Sequence, residues 1–362
     1  MSGSILGKVF TISTWGESHG EAIGVVIDGC PSGIHIGASD IQKDLNLRRP
    51  GANKFNTNRE EDDTVHILSG IFNGITTGAP ISLLVYNKDQ QSKDYSNIQT
   101  VYRPGHADYT FEKKYGFRDY RGGGRSSGRE TLSRVAAGAI AKKILEELNI
   151  RILTYTHSIG NVTINNFDES YIKGNSLFMP DREAYKKAES LIGQCINEKD
   201  SLGGIIECRI LGLPYGIGEP TFDKLDASMA KAMFSIGAVK GFEIGLGFEA
   251  SKIRGSENND QFNEKKRSLT NNSGGVLGGI SNGDIFIFKT AFKPTPSIGI
   301  SQKAINSDGN VVDLEIKGRH DPVIVPRAVI VVEAMAAITV VDLLFQNMFS
   351  KIENLKNLYI KS

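Results

Sequence analysis

The strongest constraint in this sequence is a pattern that occurs twice. An apolar run from Ile23 to Ile27 leads into Gly29-Cys30-Pro31-Ser32-Gly33-Ile34, and another from Ile205 to Leu211 leads into Gly212-Leu213-Pro214-Tyr215-Gly216-Ile217. Each reads as a strand closed by a tight turn, because glycine tolerates positive φ and proline presets the preceding bend. An aspartate follows each turn, Asp40 and Asp223, and opens a stretch with helical spacing (Ile41, Leu45; Leu225, Met229, Met233), the position of a helix N-cap. The echo continues in Gly74-Ile75-Thr76-Thr77-Gly78 before the strand-like Ile81–Tyr86, and in Gly279-Ile280-Ser281-Asn282-Gly283 before the strand-like Ile285–Lys289. Each half closes on a long helix: Ser127–Asn149, with Leu132, Val135, Ala136, Ala139, Ile140 and Leu148 on its apolar face, and Pro326–Asn347. The pattern predicts one α+β domain over residues 1–362 with internal pseudo-two-fold symmetry, its repeats at roughly 5–150 and 200–347. The polar segment Ser251–Ser273 accounts for the extra length of the second copy and reads as a mobile insertion.

Charge and cysteine content narrow the function. Lys plus Arg number 42 against 41 Asp plus Glu, a formal charge of +1, which argues against a general nucleic-acid or membrane binder and requires any anion site to come from local clustering. Cys30, Cys195 and Cys208 are scattered without a C-x-x-C spacing, so neither a disulfide framework nor a metal site is expected. The opening segment has no secretory pattern, and the apolar stretch Val323–Phe349 is interrupted by Arg327, Glu333 and Asp342, as befits a buried core helix. A cytoplasmic protein is expected.

Six groups of residues on or beside Gly/Pro turns could carry chemistry. Gly16-Glu17-Ser18-His19-Gly20 packs a carboxylate, a hydroxyl and an imidazole ahead of a strand. Ser18 stands at the centre as in a hydrolase elbow, but that elbow needs a helix after it and here a strand follows. His19 remains as a proton donor or as an inert loop residue. Arg103-Pro104-Gly105-His106-Ala107-Asp108 fits two readings equally: a functional loop, or a turn braced by Asp108 on His106 or Arg103. The stretch Arg118–Arg134 surrounds Gly122-Gly123-Gly124 with five arginines; Ser127 and Glu130 have capping-box spacing, which predicts a helix N-terminus suited to a phosphate. A lone glycine–arginine tract running into a helix differs from the repeated tracts that bind RNA. Arg48, Arg49, Lys54 and Arg59, then Lys293-Pro294-Thr295-Pro296-Ser297 and Gly318-Arg319-His320-Asp321-Pro322, complete a set best explained by one polyanionic pocket. Walker and G-x-G-x-x-G loops are missing, so ATP and an ordinary Rossmann dinucleotide are not expected.

The strings GESHG, RRPG, RPGHADYT, DYRGGGRSS, GGISNG, KPTPS and GRHDP, in this order over most of the chain, closely resemble the chorismate synthase family. The resemblance implies a β-α-β sandwich, a homotetramer, and use of reduced FMN to eliminate phosphate from 5-enolpyruvylshikimate-3-phosphate without net redox change. By matching motifs it implies FMN contacts at Arg125, Ser126, Ser127, Gly237, Ala238, Gly278, Lys293, Pro294, Thr295, Pro296, Ser297 and Arg319. Substrate anions would meet Arg48, Arg49, Arg103, Arg129 and Arg134. His19 resembles the histidine assisting phosphate departure, His106 the one protonating the flavin, and Asp321 the acid near flavin N5. Some members also reduce FMN with NADPH, to which Arg48 and Lys54 would correspond; with no added reductase domain here, an external flavin reductase is expected. Gly128 and Gly237 depart from the alanine and asparagine common in the family.

Overall fold

A computed structural model, which describes residues 3–49, 62–87, 99–121, 123–264, 268–316 and 321–360, shows the two glycine–proline turns folding alike down to single hydrogen bonds. In the first, Thr76 Oγ1 donates to the Pro31 carbonyl (2.7 Å) and accepts from the Ile34 amide (2.9 Å). In the second, Ser281 Oγ donates to the Pro214 carbonyl (2.5 Å) and accepts from the Ile217 amide (2.9 Å). Only a hydroxyl both donates and accepts at this reach, which explains why the echoed strings keep Thr or Ser at that place.

Strands Ile5–Leu6 (β1), Thr11–Gly16 (β2), Ala22–Asp28 (β3), His66–Ile67 (β4) and Ile81–Tyr86 (β5) form an antiparallel sheet in the order β1-β2-β3-β5-β4. Val101–Tyr102 (β6) lies outside it. Arg151–Ile159 (β7), Val162–Thr163 (β8), Gly204–Leu211 (β9), Val239–Ile244 (β10) and Phe286–Phe292 (β11) form a second, in the order β8-β7-β9-β11-β10. Gln302–Asn306 (β12) and Val311–Leu314 (β13) join β6 in a small sheet. The position that β2 holds beside β3 is held in the second sheet by β7, beside β9.

The helices are Ala38–Arg48 (α1), Asp108–Tyr115 (α2), Thr131–Glu147 (α3), Arg182–Asn197 (α4), Leu225–Phe234 (α5), Val325–Asn347 (α6) and Ile352–Tyr359 (α7). Helix α3 covers the first sheet, α5 and α6 the second, α3 packs on α6 across the middle, and α1 packs against both α3 and α6. The result is the β-α-β sandwich with pseudo-two-fold symmetry. One continuous apolar core runs from Phe10, just before β2, through both central helices to Phe292 on β11.

Several local expectations need correction. Asp40 is the third residue of α1, where its carboxylate accepts from the Gly37 amide (3.0 Å), so Gly37 is the N-cap. Asp223 precedes the cap of α5 and pairs with Lys8 instead. Helix α3 begins at Thr131 rather than Ser127. Sandwiched between a sheet and two helices, it is buried on nearly all sides, including Ala137, Gly138 and Ala141, whereas Leu148 lies past its end and is 50% exposed. Within 251–273 the described residues include the helical turn Gly255–Asn258 and an anchoring carboxylate, Asp260, which accepts from Thr270 Oγ1 and from the amides of Asn272 and Ser273.

The apolar helix α6 could cross a membrane by length and composition, but its span is mostly buried inside the protein. Its charges all have partners. Glu333 accepts from Lys142 of α3 (2.9 Å), which also pairs with Asp44 of α1 (2.7 Å). Asp342 accepts from the amides of Lys8, Val9 and Phe10 and so holds the start of the chain on the helix.

Where α3 crosses α6, Gly138 faces Ala334; a Cβ on residue 138 would lie 2.3 Å from the Ala334 Cβ and 2.6 Å from its Cα. In an exposed helix Gly→Ala gains about 1 kcal/mol. Here overpacking, typically about 1–3 kcal/mol, opposes it and the atoms in the way are a rigid helix backbone. Gly138→Ala is therefore expected to lower the urea midpoint of unfolding, not raise it.

Candidate active site

The turn Pro104-Gly105 sends the chain from β6 back toward the start of α2, which brings three side chains into one cluster. The Asp108 carboxylate takes both ends of the Arg103 guanidinium, Nε to Oδ2 at 2.7 Å and Nη2 to Oδ1 at 2.8 Å, and its Oδ1 lies 2.8 Å from His106 Nδ1. Burial would raise the Asp108 carboxyl, but hydrogen bonds from Arg103 and His106 outweigh it and hold the group well below the usual carboxylate range. A charged carboxylate needs the proton on Nδ1, so neutral His106 keeps its lone pair on Nε2. That edge of the ring faces Gly123, whose φ is +83° and where a Cβ would lie 3.1 Å from His106 Cε1. The turn braced by Asp108 and the candidate functional loop are thus the same structure.

Arg48, at the end of α1, is 1% exposed. Its Nη2 donates to Asp63 Oδ2 (2.6 Å), while Arg129 Nη1 donates to the other oxygen of the same carboxylate (3.0 Å). Burial would raise Asp63, yet the two guanidinium charges keep it lowered. Arg48 Nε is buried and has no acceptor among the described residues. Asp63 escaped the sequence reading because it ends the acidic run Glu60-Glu61-Asp62-Asp63, which reads as a solvated charge cluster with no motif around it.

The segment before α3 is built differently from the predicted helix start. Gly124–Ser126 and Gly128–Glu130 are two short 3₁₀ turns. The amides of Ser126, Ser127 and Glu130 bond to backbone carbonyls within them, and Ser127 Oγ accepts from the Arg129 amide (3.3 Å). Glu130 does not close a capping box, since its carboxylate pairs with Arg134, whose other nitrogens donate to Ser235 Oγ and its carbonyl. Arg125 donates to Thr14 Oγ1 (2.7 Å) and the Gly16 carbonyl (3.2 Å), tying the turn to the end of β2. The cationic groups here are therefore side chains, not the amides of a helix end.

From the second half come Lys293 and the loop after β11. Lys293 donates from its backbone to the Ala238 carbonyl and from Nζ to the Gly105 carbonyl (2.8 Å), so the loop holding His106 rests on it. Burial and the nearby Lys240 hold the Lys293 ammonium below its ordinary value. Ala238 takes the left-handed conformation (φ +71°), uncommon for a residue with a side chain and characteristic of a constrained site. Asp321 accepts from Arg327 Nη1 (2.5 Å), a first-turn residue of α6 that also donates from Nε to the Arg48 carbonyl (3.1 Å). Arg327 was visible in the sequence only as an interruption of an apolar stretch.

These elements enclose a cavity of about 1060 Å³. It collects Arg48, Arg103, His106, Arg125, Ser126, Ser127, Arg129 and Arg134 from the first half, and Gly237, Ala238, Lys293, Thr295, Pro296, Ser297 and Asp321 from the second. Among the described residues its lining carries eight cationic side chains against five carboxylates, although the whole chain is nearly neutral. Arg49, Pro294 and Gly278 do not line it; neither does His19, although its loop neighbour Glu17 does. Arg319 and Lys54 lie outside the described residues. Gly128 and Gly237, the two departures from the family pattern, have open space where a side chain would stand.

Comparison with known proteins agrees with this arrangement. The family model described as chorismate synthase matches residues 10–345. The chain is similar to the chorismate synthases of Lachnospira eligens (59% identical over 366 residues) and Lachnoclostridium phytofermentans (59% over 367), in each case across 100% of both chains. It is also similar to a crystal structure of chorismate synthase, with a TM-score of 0.76 and 30% identity over 97% of this chain and 96% of the other. With this coverage the chain belongs to the chorismate synthase family, the carbon–oxygen lyases that form chorismate for aromatic biosynthesis.

Proposed function

We propose that the cavity binds 5-enolpyruvylshikimate-3-phosphate together with reduced FMN and carries out the 1,4-elimination of phosphate that yields chorismate. The observation that carries this reading is the convergence of eight cations with His106 and Asp321 in one space of about 1060 Å³, above the usual range for a single small ligand. Both compounds are anions. The orphaned Nε of Arg48 supports an anion with acceptor oxygens at that end, since a buried donor without a partner is costly. The reduced flavin, when bound, would lend an electron to the substrate and take it back, so no net oxidation results.

The protein's own groups then divide the work. Arg48 and Arg129, held by Asp63, and Arg103, held by Asp108, present guanidinium groups to substrate oxyanions; Arg134 on the cavity wall and Arg49 beside Arg48 in the chain complete the substrate set. Arg125, Ser126, Ser127, Gly237, Ala238, Lys293 through Ser297 and Arg319 are assigned to FMN. Gly278 lies in the turn between Leu277 and Ile280, away from this cavity, and we assign it to the cofactor of a neighbouring subunit in a homotetramer. His106, with Nδ1 fixed by Asp108, directs Nε2 toward the flavin; in its imidazolium form it gives up the Nε2 proton there and is left as the neutral ring with the lone pair on Nε2. His19 donates to the departing phosphate, and Asp321, oriented by Arg327, receives the proton lost from the flavin side. We assign the protein to the cytoplasm, with α6 as a core helix and no nucleic-acid or membrane partner. An external flavin reductase supplies the cofactor's reducing equivalents, NADPH serving as their source; Lys54 belongs to the same assignment.

The decisive experiment is anaerobic phosphate release from the substrate with and without photoreduced FMN. Chorismate should form only with the reduced flavin, and NAD(P)H should not be consumed in proportion to product; proportional consumption would indicate a flavin oxidoreductase instead.

Replacing either histidine by alanine should lower kcat by about 10²- to 10⁴-fold while much of the arginine-based affinity survives. His106→Ala should change the absorption spectrum of bound reduced flavin, whereas His19→Ala should chiefly slow phosphate release. Wild-type rates for both across pH 6 to 9 would remove the proton-transfer roles.

Asp108 also makes stability depend on acid. Its folded-state value lies below its unfolded one, so its contribution is complete above about pH 4 and is lost as pH falls through the folded-state value. Asp108→Asn should therefore be markedly less stable than wild type at pH 7, and the difference should shrink steadily in thermal melts taken below about pH 4.

A further inference from the structure

We propose that Asn87 is a positioning residue that joins the loop carrying His19 to Arg129, so that the proton donor and the anion site are held by one rigid link. The inference rests on the proton-donor role assigned to His19 above. Asn87 is the first residue beyond β5, beside the turn between β2 and β3. Its Nδ2 donates to the carbonyls of Glu17 (3.0 Å) and Gly20 (2.7 Å), the two residues that bracket Ser18 and His19. Its Oδ1 accepts from Arg129 Nε (2.5 Å). Two carbonyls require two donors and the guanidinium N–H requires an acceptor, so the orientation of the carboxamide follows from its partners; a single hydroxyl has one donor and could not serve both carbonyls.

Each end of the link is already anchored. The turn is closed by the Gly20 amide donating to the Glu17 carbonyl (3.1 Å), and Ser18 Oγ lies 3.1 Å from His19 Nδ1. Arg129 is fixed at its other end through Nη1 to Asp63, which also holds Arg48. A chain of hydrogen bonds therefore runs from Arg48 through Asp63, Arg129 and Asn87 to the His19 turn. Releasing Asn87 should leave the guanidinium groups in place, since Asp63 still holds them, but free the turn.

The test is a pair of double-mutant cycles. Asn87→Asp keeps an acceptor for Arg129, loses both donors and sets an oxygen against two carbonyls. It should leave KM for 5-enolpyruvylshikimate-3-phosphate within about threefold while lowering kcat by about 10- to 100-fold, the usual penalty for a slightly misplaced group. In a His19→Ala background the same change should cost nothing further in kcat; in a His106→Ala background it should cost its full factor. If Asn87→Asp does not fold, Asn87→Ser, which keeps one donor, enters the same cycles. A wild-type kcat for the Asn87 variant, or equal losses in the two backgrounds, would overturn the link. A wild-type rate for His19→Ala alone would overturn the role of His19 and this inference with it, and the single variant reports that outcome separately.

Discussion

Everything else in this fold depends on how closely α3 and α6 approach. Two sheets can share one layer of helices only if the helices fit between them, and at Gly138 and Ala334 the two central helices come together with no room for another methyl group. Small residues elsewhere on both helices, such as Ala136, Ala137, Ala336 and Ala337, are buried in the same layer. Because α3 joins the first sheet's half and α6 the second's, their packing also decides how the loops at the ends of the two sheets face each other. The cavity draws Arg103 and His106 from one half and Lys293 and Asp321 from the other, so its shape follows from that crossing.

The second organising constraint is electrostatic. A buried guanidinium is tolerable only with a counter-charge, and the site solves this by sharing carboxylates: Asp63 between Arg48 and Arg129, Asp108 between Arg103 and His106, Asp321 on Arg327. These pairs leave more cation than anion on the cavity wall. A preorganised excess of positive charge suits a reaction whose leaving group is phosphate, because the donors need not reorganise as charge develops on it. The same accounting explains the charges in α6: Arg327, Glu333 and Asp342 each face a partner on another element, and the helix is a core strut with three attachments.

How much of this could be read in advance depends on the range of the interaction. The doubled strand–turn–helix plan was legible because turn chemistry and periodicity are local, and the matched hydroxyls of Thr76 and Ser281 bear out the correspondence of the two halves. The arginines and histidines of the site were legible because they sit on Gly/Pro turns without a secondary-structure purpose. Its acids were less so. Asp108 was visible inside a motif, but Asp63 and Asn87 have ordinary neighbours in sequence and acquire meaning only through what they touch.

The amino-acid order alone determined the α+β class, the two-fold plan, the apolar core helices and the set of residue types able to bind polyanions, since each is a property of neighbours a few residues apart. Tertiary structure decided which of those residues meet. It turned a predicted capping box at Ser127 and Glu130 into 3₁₀ turns with Glu130 on Arg134, because an arginine one turn along the helix is a stronger partner for a partly buried carboxylate than a lone amide. It also left His19 off the cavity wall while setting Glu17 on it, and bound that loop to Arg129 through Asn87. Contacts between residues far apart in the chain are set by how helices and sheets pack, and no local pattern encodes them.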